Sequence, residues 1–184
     1  LDPLAIPTAR LDLLPLTPDF LRATAAGDRT LAATQLHATI PADWFECHEF
    51  AAMRLWQFQT GETAQPWLPR AIVLRATGAM VGFIGFHTPP RPAYLQPLSP
   101  AGVEFGYTVF PEHRRRGYAR EASRALIDWA HTTHGLTHFV VSVSPSNSAS
   151  LALIAQMGFR RIGAHIDAED GPEDIFELVV GSSS

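Results

Sequence analysis

Residues 114–120 read Arg-Arg-Arg-Gly-Tyr-Ala-Arg, directly after a strand-like run and directly before a helix-like one. A helix start offers unpaired backbone N–H groups and the positive end of the macrodipole. Arginines ordinarily favour the other end, so each of Arg114, Arg115, Arg116 and Arg120 costs up to about 1 kcal/mol there. A bound anion reverses that sign. A diphosphate suits the site, because guanidinium groups fork onto phosphate oxygens. Gly117 lets backbone approach a bulky ligand. Taken alone, the turn reads equally well as a solvated basic loop.

Two further groups could do chemistry. Glu104 stands in the apolar strand VEFGYTVF (residues 103–110), where a carboxylate needs an explanation because its burial is costly. Alternation puts Glu104, Gly106 and Thr108 on one face. Glu104 is a candidate general base, and the alternative is a strand-end Glu facing water. His87, at the end of the preceding strand, is a weaker base candidate. Asn147-Ser148-Ala149-Ser150 opens a helix; Asn147 suits its cap, and its side chain could instead reach a ligand.

The elements that must position these groups follow from periodicity and breakers. Strands are expected over residues 9–14, 71–75, 80–86, 103–110, 137–143, 159–166 and 175–180. Helices are expected over 18–36, 41–58, 118–133 and 147–157, with Thr17 capping the first and Gly158 stopping the last. A breaker-rich link covers 61–69. The Pro-rich stretch 88–100 excludes regular structure and has the length of a lid or binding loop. An acidic turn is expected over 167–174. The class is mixed α/β, with a sheet covered by helices.

Bulk properties narrow the function. The 184 residues are 46% hydrophobic and 17% charged, which fits one globular domain over 1–184, with 1–8 and 181–184 as flexible ends. The net charge of -4 argues against a nucleic-acid partner using the arginines of 114–124. No apolar run reaches the roughly 20 residues of a membrane span, and no signal peptide is read at the start. The one cysteine, Cys47, fits a cytoplasmic protein. The eight histidines form no ligand pattern, so no metal is expected.

Two segments together resemble the GNAT superfamily of N-acetyltransferases. Arg114-x-x-Gly117-x-Ala119 matches its Gln/Arg-x-x-Gly-x-Gly/Ala pyrophosphate signature. EFGYTVFPEHRRRGYAREASRALIDWA resembles the strand–loop–helix core, and VSPSNSASLALIAQMGFRRIG resembles the second half. Both are similar to the branch that acetylates the N-termini of ribosomal proteins. The resemblance is strong over 104–163 and weak before it. It implies a mostly antiparallel twisted sheet of about seven strands flanked by about four helices. It implies acetyl-CoA as co-substrate, direct amine attack on the thioester, and Glu104 assisting as base. Tyr107, Thr108 and Val109 then match the strand whose backbone meets pantetheine. Arg114, Arg115, Arg116, Gly117, Tyr118, Ala119 and Arg120 match the pyrophosphate loop. Asn147 matches a CoA contact, and Ser150 a position near the sulfur that can donate to the thiolate.

One departure stands out: Ile154 occupies the position of the Tyr that acts as acid in many relatives. A CoA-binding module without catalysis is therefore a competing reading. The acceptor is expected to be a peptide N-terminus or a small amine. An α-amino group titrates near ~7.7–8.0, whereas bringing a Lys amine to its neutral form at pH 7 takes about 4–5 kcal/mol. Trp44, Phe45, Trp56, Trp67 and Tyr94 could line an acceptor pocket or fill the core. The resemblance also implies a homodimer, which members of the superfamily often form.

Overall fold

A computed structural model describes residues 4–167 and 171–181. The chain divides into two compact units, Leu1–Phe86 with Tyr107–Leu126, and His87–Gly106 with Ile127–Ser184.

In the first unit, strands β1 (Ile6–Pro7), β2 (Leu11–Pro15), β3 (Arg70–Leu74) and β4 (Met80–Phe86) pair antiparallel in that order. In β2, Leu11, Leu13 and Pro15 are buried and alternate with Asp12 and Leu14, the period of a half-buried strand. Helices α1 (Pro18–Ala25), α2 (Arg29–Leu36), α3 (Ala42–Phe45) and α4 (His48–Gln59) lie between β2 and β3 in the chain. Phe20, Leu21, Ala32, Trp44, Leu68, Met80 and Phe110 belong to one buried cluster here.

Both expected long helices are broken. Gly27 takes the left-handed region (φ 70°), and the Asp28 side chain then accepts the Leu31 N–H at 2.9 Å to start α2. The second break falls at Glu46 and Cys47, where the Cys47 N–H bonds back to the Trp44 carbonyl at 3.0 Å. Trp44 is fully buried, and its Nε1 donates to Thr24 Oγ1 at 2.9 Å, so it is core rather than pocket wall. Trp56 is 54% exposed.

In the second unit the strand order is β5-β6-β8-β7. Strand β5 spans Gly102–Val109, its last three residues belonging to the first unit. Strand β6 (His138–Val143) runs parallel to β5; β7 (Arg160–Asp167) and β8 (Gly171–Val179) complete antiparallel pairs. Helix α5 is Tyr118–His134, its residues up to Leu126 belonging to the first unit, and α6 is Ser148–Met157. As expected, Asn147 caps α6 and Gly158 (φ 90°) ends it.

The acidic turn expected over 167–174 is overturned at its described residues. Asp167 and Gly171–Asp174 lie in paired strands, and 168–170 fall outside the described residues. The ends expected to be flexible also include 1–3 and 182–184, outside the described residues, while Ile6–Pro7 forms a strand. The Pro-rich loop holds a short 3-10 turn, Ala93–Leu95, which its prolines permit because Pro92 sits before it rather than inside it. Eight strands and six α-helices are found among the described residues, against about seven and four expected. The mixed α/β class and mostly antiparallel pairing are as expected.

Candidate active site

The basic turn lies in the first unit. After Val109 the chain makes a 3-10 turn, Pro111–His113, and α5 begins at Tyr118. Between them Arg115 (φ 61°) and Gly117 (φ 80°) both adopt the left-handed region. For Arg115 that conformation costs roughly 1–2 kcal/mol, so the surrounding structure must hold it. Arg114 Nε donates to the Val109 carbonyl at 2.9 Å, and Arg10 Nη1 donates to the Arg116 carbonyl at 3.0 Å. Arg114, Arg115, Arg116 and Gly117 are exposed; Tyr118, Ala119 and Arg120 are half-buried.

Arg10 is a participant the sequence did not reveal. Its backbone N–H and Nε donate to Glu121 at 2.9 and 2.7 Å, and Nη2 lies 2.7 Å from Oε2. Thr8 Oγ1 donates to the same carboxylate at 2.6 Å, and the Arg10 guanidinium sits 4.8 Å from the Tyr118 ring centre. Glu121 thus balances Arg10, which braces the turn, while Arg115 and Arg116 remain exposed for an anion. Burial alone would raise the Glu121 carboxyl; Thr8 and Arg10 outweigh it and hold it below its ordinary range.

This sets a pH dependence. A depressed carboxyl contributes stability that is present at neutral pH and is lost as pH falls through the folded-state value. Glu121→Gln is expected to melt lower than wild type at pH 7, with the gap held down to the ordinary Glu value of about 4.3 and closing as pH falls below it; thermal denaturation at constant ionic strength measures it. An unchanged gap across that window would refute the coupling.

The carboxylate lies in the second unit. The Glu104 side chain is 7% exposed. Its Oε2 accepts the Tyr94 hydroxyl at 2.8 Å and its Oε1 the Ser142 hydroxyl at 2.6 Å. His87 Nδ1 stands 3.7 Å from Oε2, an ion-pair distance rather than a hydrogen bond. Burial pushes the carboxyl up, but His87, Ser142 and Tyr94 together leave it lowered, so Glu104 is an anion at neutral pH. Burial and the Glu104 charge push the Tyr94 phenol up, which keeps it a donor. The strand-end Glu facing water is therefore not what the structure shows.

The Pro-rich loop delivers Tyr94. Leu95 packs into the core with Val140 and Ile175, the Arg91 N–H bonds to the Gly102 carbonyl at 2.8 Å, and Ser99 Oγ donates to Glu177 at 2.5 Å. Ser142 lies two residues beyond Val140, the parallel partner of Glu104, and so shares a sheet face with it. A lone Ser in the apolar run HFVVSV was its only signal.

The β5–β6 register covers three pairs, Gly102↔His138 to Glu104↔Val140, although β6 runs on to Val143. Further along β5, in the first unit, a Cβ at Gly82 would overlap the Thr108 carbonyl, so β4 approaches the Tyr107–Thr108–Val109 stretch closely. At α6, Asn147 Oδ1 accepts the Ser150 N–H at 3.1 Å, which commits that oxygen to the cap. Ser150 is half-buried in the first helical turn, and Ile154 is buried.

Residues 10–160 match the family described as Acetyltransferase (GNAT) domain. An uncharacterized N-acetyltransferase, YoaA of Bacillus subtilis (strain 168), is 35% identical over 89 residues, 48% of this chain and 46% of that protein. The L-2,4-diaminobutyric acid acetyltransferase of Nocardia farcinica (strain IFM 10152) is 32% identical over 119 residues, 58% of this chain and 57% of that protein. The chain spans about half the length of these curated relatives. The crystal structure of ribosomal-protein-S5-alanine acetyltransferase from Vibrio fischeri superposes with a TM-score of 0.63 at 12% identity, covering 95% of this chain and 96% of that one, which is a likeness of fold.

Proposed function

The chain belongs to the acetyltransferase (GNAT) family, and on that premise we propose that it transfers the acetyl group of acetyl-CoA to a primary amine, with residues 1–184 acting as one catalytic domain in the cytoplasm. The observation that carries this reading is the braced basic turn before α5. Left-handed Arg115 and Gly117, exposed guanidinium groups and a helix start suit a diphosphate. In this reading Arg114, Arg115, Arg116, Gly117, Tyr118, Ala119 and Arg120 hold the diphosphate. Tyr107, Thr108 and Val109 offer strand backbone to the pantetheine arm, and Asn147 contacts CoA through the part of its amide not used in the cap.

Acetyl-CoA supplies an activated acyl carbon and a thiolate leaving group. The amine must shed a proton to attack it. Glu104, ionised and buried, supplies the negative charge of the base. Ser150 donates to the thiolate, since buried Ile154 can supply no proton. A thiol of ordinary pKa near ~8.5 leaves tolerably without a strong acid.

Peptide N-termini and small amines both remain acceptors in this reading, the first in keeping with the fold neighbour named for a ribosomal protein, the second with the diaminobutyrate relative. Ile154 favours a second reading, a CoA-binding module without turnover. Calorimetry with acetyl-CoA, then CoA release against amine and peptide panels, separates the two. Saturable uptake that inorganic diphosphate displaces, followed by amine-dependent CoA release, is the expected result. Uptake without release favours the binding module, and no uptake overturns both.

A further inference from the structure

Glu104 is poorly placed to receive a proton itself. Both oxygens accept hydroxyl donors, the side chain is 7% exposed, and the hydroxyls favour the anion over the acid. A base works best when its pKa lies near the operating pH. The accessible member of the cluster is His87, whose side chain is 52% exposed. Its backbone is anchored at one point and its ring has neighbours at two. The His87 backbone N–H bonds to the Glu104 carbonyl at 2.9 Å, and Nδ1 faces Glu104 Oε2. Nε2 lies over Gly106, where a Cβ would stand 2.8 Å from it. Gly106 is thus the strand position that makes room for the imidazole, on the face that carries Glu104.

We propose that His87 Nε2 takes the proton of the acceptor amine, and that Glu104 is a positioning residue that holds the imidazole through Nδ1. This rests on the acetyltransferase reading above. The amine nitrogen bonds to the acetyl carbon, the carbon–sulfur bond breaks, and sulfur leaves as thiolate with the bonding pair. The surplus proton on nitrogen passes to Nε2, and the imidazolium returns it to solvent. Glu104 from β5 faces His87 Nδ1, and Tyr94 from the Pro-rich loop donates to the same carboxylate oxygen.

The test is the pH profile of kcat for one acceptor, with acetyl-CoA affinity measured alongside. Wild type is expected to lose rate on the acid side of the profile, as the base takes up a proton from solvent. His87→Gln is expected to lose about 100-fold in kcat and that limb, with acetyl-CoA affinity kept. Added imidazole is expected to restore rate to His87→Ala in a saturable manner, which a purely structural histidine would not allow. Gly106→Ala is expected to cost about tenfold by displacing the ring, and to cost nothing more on top of His87→Gln. A wild-type limb in the carboxylate range, or His87→Gln within about threefold of wild type, overturns the assignment to His87 while leaving the acetyltransferase standing. Acetyl-CoA uptake with no CoA release for any amine overturns the activity itself, and this assignment with it.

Discussion

Glu104→Gln is expected to lower kcat for acetyl transfer by up to about 100-fold, with acetyl-CoA affinity within about twofold of wild type. Gln preserves the volume and one acceptor oxygen but removes the charge. In the native cluster that charge gathers three groups: the Tyr94 and Ser142 hydroxyls, and the imidazole of His87. The amide nitrogen of Gln is a donor, so one side of the cluster would face donor against donor. The imidazole would lose the anion that orients it and balances its positive form. The loss therefore belongs to the chemical step and not to cofactor uptake. Steady-state CoA release at saturating acetyl-CoA, paired with calorimetry, reads both quantities. A variant keeping a third or more of the wild-type rate at pH 7 would remove Glu104 from the mechanism.

The second large effect is expected on the other side of the reaction. Gly117→Ala should weaken acetyl-CoA binding by about tenfold or more, while kcat at saturation stays within about twofold. Gly117 has φ 80°, which costs any other residue roughly 1–2 kcal/mol. A Cβ there would also stand 3.4 Å from Arg10 Nη2, one arm of the guanidinium that braces the turn. The chain's response is to rotate the peptide away from the left-handed region, which re-aims the backbone N–H groups at the start of α5. An anion site built from backbone dipoles depends on that aim more than on net charge. Titration of the variant with acetyl-CoA, and with inorganic diphosphate as competitor, checks it. Equal affinity in variant and wild type would mean that the turn does not hold the diphosphate.

These two substitutions show how unevenly the site was legible. Gly117 could be picked out because its neighbours in sequence are its neighbours in function: four arginines, a small residue and a helix start within seven positions. Glu104 stood out as one charge in an apolar strand. What surrounds Glu104 could not be read. Tyr94 looked like a possible pocket wall and proves to be a hydrogen-bond donor to the carboxylate. His87 looked like the weaker of two bases, and only its placement over Gly106 and beside Glu104 makes it the accessible one. Arg10 gave no signal at all.

By itself the sequence determined whatever depends on neighbours within a turn or two. The Asn147 cap, the Gly158 stop and the clash of arginines with a helix dipole belong here, because each rests on groups within a few residues of one another. The tertiary structure decided the partners. Arg10 meets Glu121 across 111 positions, and Ser142 meets Glu104 across 38. Such pairings carry no periodicity, because they form only once strand register and loop anchoring bring distant segments together. Buried polar groups then take whichever partner that register offers, since leaving them unpaired costs more than any local preference provides.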